Sequence, residues 1–317
     1  MQSIAEDKLP TLSVIGTEAN RQRLKLADIA QLLRPHQWMK SIIVVPLALL
    51  GAPLPTVSAL IRLGWAIAAF IIASCLCYIV NDIADRDLDR AHPRKRNRPI
   101  ASGRISVTAA VALAMFLGSL LLVVAISQPP LTRWWPLAAY LTLNFCYSSW
   151  LKHTPMFDVF CVAFGFVLRV VQGALIVNER PPVWLLLSVL SLCLLLSLGK
   201  RRQEIDAAGA AHRPVLASYN RQFLDHMILL ASAIGMVTFL LHLRFETASQ
   251  IGWAPVFLAG LCAFMAVFRY LQIVLVDRGG GDPVQTLMHD RAILATGTAC
   301  AALCLYVSMI PQLTGRG

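Results

Sequence analysis

Residues 64–89 read GWAIAAFIIASCLCYIVNDIADRDLD, an apolar run that ends abruptly in a cluster of carboxylates. The apolar part, from Gly64 to Val80, has the composition of a helix that crosses a lipid bilayer. Asn81 then opens a polar run in which four aspartates fall within eight residues, at positions 82, 85, 87 and 89. This arrangement predicts a membrane helix whose chemistry lies at the membrane boundary.

The spacing of the aspartates predicts a shared binding surface. If the helix continues through the run, Asp82, Asp85 and Asp89 fall on one narrow face, and Asp87 points to the other side. Three anions near the C-terminal end of a helix repel one another and oppose the helix dipole, so the arrangement requires bound cations. A divalent metal ion held by these three aspartates, assisted by Asn81, is the simplest solution.

Two hard cations are candidates for such a site. The aspartates at 85, 87 and 89 imitate the opening of a calcium-binding loop. Arg90 and Arg96, however, stand where that loop needs a glycine and a bidentate glutamate. Magnesium, bound by a few carboxylates and by phosphate oxygens of a substrate, fits better. The predicted cofactor is therefore Mg²⁺.

The chain is too apolar for a soluble domain of 317 residues, with 57% hydrophobic and 14% charged residues and a mean hydropathy of +0.64. It is predicted to be an all-α integral membrane protein, because lipid provides no partner for unpaired backbone groups. Nine hydrophobic segments predict nine transmembrane helices, in a bundle with functional loops on the cytoplasmic side. The segments are 39–57, 62–82, 105–127, 134–150, 157–177, 183–199, 225–243, 253–274 and 291–311.

The distribution of charge predicts the orientation. With nine spans, and with Lys40, Arg62 and Arg291 at span ends counted with the adjoining loops, 21 of the 28 Lys and Arg residues lie on the side of the N-terminus and five on the opposite side. The other two, Arg169 and Arg269, lie in or at the edge of spans. This asymmetry places the N-terminus and the large loops in the cytoplasm. We expect the membrane to be a bacterial inner membrane. The polar N-terminal residues show no signal peptide. We expect a disordered tail at 1–20 and one transmembrane domain at 21–317.

The net charge of +11 belongs almost wholly to the predicted cytoplasmic face and indicates anionic partners. No soluble basic domain is present to hold nucleic acid, so nucleic acid is excluded as a partner. The headgroups of the lipid bilayer and phosphorylated substrates fit better.

Basic side chains follow the aspartates and recur in a second predicted cytoplasmic loop. They suggest a cationic lid that closes over metal-bound phosphates and a second group that binds a phosphate elsewhere. The alternative is that both groups of basic residues only set the orientation of the chain in the membrane. The candidates in the two loops are Lys95, Arg96, Arg98, Lys200, Arg201, Glu204, Arg213 and Tyr219.

Four further candidates lie in or beside the spans. Arg169 is deep in the fifth span, where a charge is costly unless it meets a ligand or an acid. It therefore either binds a substrate or forms an internal ion pair with a neighbouring helix. Lys40, Tyr147 and Lys152 lie near the ends of spans, from which each could reach a cavity at the level of the headgroups. Taken separately, each is also typical of an interface anchor.

The polar run resembles a known signature. The pattern Asn-Asp-x-x-Asp-x-x-x-Asp at residues 81–89 is similar to that of the UbiA superfamily of membrane prenyltransferases, and nine spans agree with it. Members that use a prenyl diphosphate usually carry a second aspartate-rich motif after the sixth span, where this sequence has Lys200, Arg201 and Glu204. That difference makes the chain resemble the decaprenyl-phosphate phosphoribosyltransferase branch. The other matching segments are 34–40, 147–152, 213–219 and 269–283.

The resemblance implies transfer of 5-phosphoribose from phosphoribosyl pyrophosphate to a polyprenyl phosphate, with Mg²⁺ and with release of pyrophosphate. We expect residues 81, 82, 85 and 89 to hold the metal on the pyrophosphate, and residues 95, 96 and 98 to neutralise the leaving group. Residues 200, 201 and 213 would bind the second phosphate, with residue 204 orienting them. Residues 40 and 152 would place the lipid phosphate, and residues 147, 169 and 219 are further binding candidates.

Two alternatives stay open at this stage. The first is an aromatic or quinone-precursor prenyltransferase of the same fold, with a polyprenyl diphosphate bound to the aspartates. The second is a non-enzymatic transporter or lipid-binding protein, although the sequence contains no internal repeat that favours it. A homo-oligomer is compatible with the sequence.

Overall fold

The computed structural model of the chain describes residues 26–50, 55–93, 95–128, 130–208, 214–247, 253–277, 286–287 and 289–313. The predicted tail at 1–20 and the candidate Arg213 lie outside this part of the chain. Within it the structure is helical, without a β-strand, so the predicted all-α fold is confirmed. The α-helices of the described residues are α1 (Leu26–Leu33), α2 (Met39–Val44), α3 (Val57–Ala84), α4 (Arg86–Ala91), α5 (Val107–Ser127), α6 (Trp135–Ser149), α7 (Phe157–Ile176), α8 (Val183–Ala208), α9 (Arg221–His242), α10 (Trp253–Leu275) and α11 (Arg291–Leu313).

Six of these helices are long and apolar enough to cross a bilayer: α3, α5, α7, α8, α9 and α10. The other three predicted spans are shorter within the described residues. α2 gives way to a 3₁₀ segment at Val45–Leu49, where Pro46 lacks a backbone donor. α6 has 15 residues, and the apolar part of α11 is Arg291–Val307. A multi-pass membrane bundle is therefore confirmed, whereas nine crossings and cytoplasmic loops stay a prediction.

Polar side chains fix the starts of three long helices. Thr56, Ser106 and Asn220 precede α3, α5 and α9. Each side-chain oxygen accepts a hydrogen bond from the backbone N–H three residues further on, at 3.2, 3.1 and 2.7 Å. Such caps satisfy donors that a helix cannot pair internally, so they define where these spans begin.

α7 is the central helix of the bundle. It packs against α6 and α8 and against the 3₁₀ segment after α2, and most of its residues are buried. Gly173 permits a close approach, because a Cβ at this position would lie 2.2 Å from the Val45 carbonyl oxygen. Hydrophobic cores lie on both sides of α7, one with α3, α5 and α6 and the other with α8, α9, α10 and α11. The first turn of α7 carries Asp158, which belongs to the candidate site.

α8 continues beyond the predicted end of the sixth span. The interpretation of residues 200–206 as part of a loop was wrong, because they form the last turns of α8. Arg201 and Arg202 lie on buried faces of these turns, while Lys200 is exposed. Arg202 pairs with Asp225 on α9 and donates to the Val274 carbonyl of α10 at 2.6 Å. This arginine ties the ends of α8, α9 and α10 together.

Candidate active site

The first charge cluster lies where α3 ends. The continuous helix expected through the aspartates is wrong: α3 ends at Ala84, α4 begins at Arg86, and Asp85 between them has φ −90° and ψ 7°. The Asp89 N–H still donates to the Asp85 carbonyl at 2.8 Å, so the chain bends without unwinding. No proline or glycine lies within residues 81–89, and the sequence therefore carries no local signal for the break.

Asp82 and Asp89 converge after the break because Arg98 binds both. Arg98 Nη1 donates to Asp82 Oδ1 at 3.0 Å and to Asp89 Oδ2 at 2.6 Å. Arg34 Nη2 donates to both carboxylate oxygens of Asp82, at 2.7 and 3.0 Å. Both aspartates are only 2% exposed. Charged hydrogen bonds of this kind hold the two carboxylates in a fixed position shielded from solvent.

The other two aspartates of the run point in different directions. Asp85 Oδ1 accepts a hydrogen bond from Lys152 Nζ at 2.9 Å. The Asp87 side chain is 88% exposed and lies 3.5 Å from Arg90. The structure thus separates one solvent-facing aspartate from three that contact cations of the site, in agreement with the spacing argument for Asp87.

The remaining candidates near the first cluster are less closely engaged. Lys95 Nζ lies 3.9 Å from Asp89 Oδ1, the distance of a loose ion pair. Arg96 is exposed, and its side chain contacts no aspartate among the residues that the structure describes. Tyr147 is half-buried near the C-terminal end of α6.

Arg34 is a member of this cluster that the sequence reasoning did not select as a site residue. It has a left-handed backbone, with φ 51° and ψ 62°, which is strained for a residue other than glycine. Its guanidinium also lies 4.8 Å from the centre of the Tyr78 ring. The sequence carried no signal for this arginine, since the proline after it favours an extended backbone and not the left-handed one that is observed.

Two features of the first cluster fit a divalent cation. Arg98 Nη1 lies between oxygens of Asp82 and Asp89, the position that a bridging cation takes. Asn81 Oδ1 is buried and has no hydrogen-bond partner among the described residues. Oxygen donors of this kind suit Mg²⁺. In the part of the chain described, no three His, Cys, Asp or Glu side chains converge closely enough to hold a metal, and Arg98 and Lys152 pair with the carboxylates of this cluster.

A second charge cluster lies between the start of α7 and the end of α8. Asp158 is completely buried and accepts hydrogen bonds from Arg201 Nε at 2.7 Å and from the Tyr219 hydroxyl at 2.6 Å. Arg201 Nη1 donates to Glu204. Burial, and then the hydrogen bond to Asp158, raise the pKa of Tyr219 to about 12, so the phenol stays protonated and is the donor.

One chain segment, residues 152–158, joins the two clusters. Lys152 binds Asp85 of the first cluster, and Asp158 is the centre of the second. Between them, the Met156 N–H donates to the Tyr219 hydroxyl oxygen at 2.6 Å. Met156 has φ 66° and ψ −42°, a strained backbone for a methionine. A displacement of this segment would therefore move both clusters. Asp158 is not among the site residues predicted from the sequence.

Arg169 is 4% exposed inside α7 and is bound by neutral groups. Its Nη2 donates to the hydroxyls of Ser74 and Tyr140 at 3.1 and 3.0 Å, and its Nη1 donates to the Gly165 carbonyl at 2.8 Å. Its Nε reaches the Ser41 hydroxyl at 3.3 Å. No carboxylate among the described side chains contacts it, so the alternative of an internal ion pair is excluded for that part of the chain.

Lys40 approaches Arg169 through a shared aromatic ring. The centre of the Phe166 ring lies 5.2 Å from Arg169 Cζ and 6.0 Å from Lys40 Nζ. Both contacts are within the range of a cation–π interaction. At about 1.5 Å per residue, Arg169 lies roughly 16 Å along α7 from Asp158. The bundle therefore holds a third concentration of charge, which is cationic and deeper than the two clusters.

A bundle of apolar helices with buried charge clusters at one end defines a multi-pass membrane protein with an internal polar site. The profile of the UbiA prenyltransferase family matches residues 41–294, and the chain belongs to that family. The family predicted from residues 81–89 is confirmed, and the protein is a membrane transferase.

Similar proteins cover most of the chain. It is 31% identical over 278 residues to a decaprenyl-phosphate phosphoribosyltransferase of Mycobacterium tuberculosis, covering 84% of this chain and 90% of that protein. A protein of the same name from Corynebacterium glutamicum is 28% identical, covering 94% and 93%. The structure of a UbiA homolog from Archaeoglobus fulgidus bound to DMAPP and Mg²⁺ has the same fold, with a TM-score of 0.67, 18% identity and coverage of 88% and 97%.

Proposed function

We propose that this chain transfers 5-phosphoribose from phosphoribosyl pyrophosphate to a polyprenyl phosphate and releases pyrophosphate. Relatives that cover most of the chain are named decaprenyl-phosphate phosphoribosyltransferases, which supports this donor and this class of acceptor. The site faces the cytoplasm of a bacterial inner membrane, in keeping with the 21 basic residues on that side when nine spans are counted.

The observation that carries the proposal is the pair of basic residues Lys200 and Arg201 beside the second cluster. A prenyl diphosphate has one anionic end, whereas phosphoribosyl pyrophosphate has two. Asp158 and Glu204 pair with Arg201 and compensate its charge, so Lys200, which is exposed beside it, supplies the positive charge for a second phosphate. Because two carboxylates hold Arg201 in place, Lys200 is the side chain with the freedom to move onto the phosphate.

The first cluster suits the pyrophosphate end of the donor. Mg²⁺ bound to its carboxylates would neutralise charge on the leaving pyrophosphate. The cations that now pair with these carboxylates would then turn to phosphate oxygens, and Asn81 would contribute its unpartnered oxygen. The cations are Arg34, Lys95 and Arg98.

The residues of the chain need not remove a proton in this reaction. The acceptor phosphate is already ionised at neutral pH, so its oxygen attacks the anomeric carbon without a general base. As the bond to pyrophosphate breaks, positive charge develops on the ribose, and nearby carboxylates stabilise it as in other oxocarbenium reactions. Lys40 and Lys152 would hold the lipid phosphate, and its attack on the face opposite the leaving group would invert the anomeric centre.

An assay with purified protein tests the proposal. The protein is incubated with Mg²⁺, polyprenyl phosphate and phosphoribosyl pyrophosphate labelled in the ribose. We expect label in the lipid fraction and one pyrophosphate for each lipid modified. No labelled lipid would refute the donor assignment. A parallel incubation with a polyprenyl diphosphate and a hydroxybenzoate tests the prenyltransferase alternative, which a prenylated aromatic product would support.

A further inference from the structure

A groove on the surface of α9 and α10 has the features of a lipid-binding site. It has a volume of about 800 Å³ and runs from the end of α9 along the first half of α10. We propose that it binds an anionic phospholipid of the bilayer, with the headgroup phosphate at Arg244 and an acyl chain along α10.

The groove opens at the end of the bundle opposite the charge clusters. α9 begins beside the second cluster, where Asp225 pairs with Arg202, and Arg244 follows the last turn of α9. At about 1.5 Å per residue, the helix between Asp225 and Arg244 spans roughly 28 Å, close to the thickness of the hydrocarbon core. A phosphate at Arg244 is therefore in the other leaflet, distant from any substrate bound at the aspartates.

The groove changes from cationic to apolar along its length. Arg244 is exposed at its mouth, and no carboxylate among the described side chains pairs with it. Trp253, 80% exposed, lies beside it at the level where tryptophans favour the membrane interface. Phe257, Leu261 and Phe264 continue along one face of α10 and are 61%, 48% and 37% exposed. This order matches a phospholipid from its phosphate to its acyl chain.

Gly260 gives the groove its depth. A Cβ at this position would lie 2.9 Å from Leu240 Cδ2 on α9, so a side chain here would fill the space between the two helices. On an ordinary lipid-facing helix surface, a side chain occupies the position that is empty at Gly260. A recess between two helices with a cation at its mouth selects a lipid by its charge, beyond the general contact that any membrane helix makes with lipid.

Native mass spectrometry tests the proposal on full-length protein reconstituted in equal amounts of phosphatidylcholine and phosphatidylglycerol. We expect wild-type protein released from the bilayer to retain phosphatidylglycerol in preference to phosphatidylcholine. Arg244→Gln should lower that preference about fivefold, the effect of one basic residue near a membrane surface. Arg180→Gln is the matched control, because Arg180 is exposed in the connection between α7 and α8, at the same end of the bundle, and should retain the preference. Equal retention by wild type and Arg244→Gln would overturn the proposal.

A second pair of variants tests the shape of the site. Gly260→Leu should reduce the retained lipid, whereas Gly64→Leu should not, because nothing lies within 4 Å of a Cβ built on Gly64. Equal losses in both variants would overturn the assignment to the groove. The same spectra report the oligomeric state. A loss of dimer or trimer in Gly260→Leu, with lipid retention unchanged, would show that a second copy of the chain occupies the groove and would overturn the lipid assignment.

Discussion

Single residues explain how two acids can be neighbours in a buried site. Arg34 and Arg98 supply hydrogen bonds and positive charge to Asp82 and Asp89, so neither carboxylate is left unpaired. The same contacts place the carboxylate oxygens before a substrate arrives. Preorganisation of this kind lowers the cost of binding a metal and a pyrophosphate together.

The first prediction concerns Asp82. Asp82→Asn keeps the size of the side chain but removes the negative charge, so turnover of phosphoribosyl pyrophosphate should fall by about 100-fold or more. Asp87→Asn is the matched control, because Asp87 is 88% exposed in the same segment, and its rate should stay within about twofold of wild type. Initial rates at saturating Mg²⁺ measure both. Similar losses in the two variants would refute a distinct role for Asp82.

The second prediction concerns Tyr219. Tyr219→Phe removes the hydroxyl that donates to buried Asp158 and accepts from the Met156 N–H, and should cost about 1–3 kcal/mol of stability. Thermal inactivation in detergent should therefore occur a few degrees lower. Tyr306→Phe, at an exposed position on α11, should leave it unchanged.

The stability difference between wild type and Tyr219→Phe should depend on pH through the pKa of Tyr219. This pKa is about 12 in the folded protein, against an ordinary value near 10. A group whose pKa is raised by folding contributes its full stability below the unfolded value and loses it as the pH rises through the folded value. The difference between wild type and Tyr219→Phe should therefore be the same at pH 6 and pH 9. A difference that already disappears by pH 9 would contradict the buried phenol.

At the level of helices, apolar length predicted most of the bundle. α5, α7 and α10 begin and end within two residues of the predicted segments. α8 is longer than predicted because Arg201 and Arg202, whose charge ends the hydrophobic segment, find buried partners that let the helix continue. At the break between α3 and α4, Asp85 also pairs with a residue distant in the chain, Lys152. Local sequence patterns could not reveal either feature, since both result from contacts between residues far apart in the chain.

The third prediction tests the close contact of α7 with the segment after α2. Gly173→Ala would place a Cβ 2.2 Å from the Val45 carbonyl oxygen, so the backbone must shift, at a cost of about 1–3 kcal/mol or more. Gly118→Ala in α5 meets nothing within 4 Å and should be neutral or stabilising by up to about 1 kcal/mol. Thermal unfolding in detergent distinguishes them. Equal stability of the two variants would contradict the packing of α7.

The fourth prediction concerns Arg169, which links α7 to α2, α3 and α6. Arg169→Met removes a buried charge, while Ser74 and Tyr140 can still bond each other at 3.1 Å. We expect unchanged or higher thermal stability, because burying an uncompensated charge is costly, but activity at least about tenfold lower, because a substrate anion loses a cation. Arg62→Met is the control, since Arg62 donates to the Ile176 carbonyl at the other end of α7 and its loss should spare activity. A fall in stability that matches the fall in activity would indicate a purely structural role.

For the whole molecule, contacts with the charge clusters locate one common end for successive helices. α3, α6, α8 and α10 end there, at residues that include Asp82, Lys152, Arg201 and Val274. α7 and α9 begin there, with Asp158 and Asp225, and α11 begins beside α10 through Asp290 and Arg269. Helices that end at the clusters therefore alternate with helices that begin there. This alternation includes the short helices α6 and α11 and favours a crossing at each of them.

The fifth prediction is that the chain crosses the membrane nine times, with the N-terminus in the cytoplasm and the C-terminus outside. An alkaline phosphatase is active only outside the cytoplasm, and a fluorescent protein folds well only inside it. We expect phosphatase activity from a fusion at Gly317, after α11, and fluorescence from a fusion after Asp277, which follows α10. The second fusion is the matched control, since it differs from the first only by the presence of α11 and its connection. The same reporter active at both positions would show that α11 does not cross. The asymmetry of basic residues supports a cytoplasmic connection between α10 and α11, because moving that connection across the membrane would carry Arg278 and Arg291 to the outside.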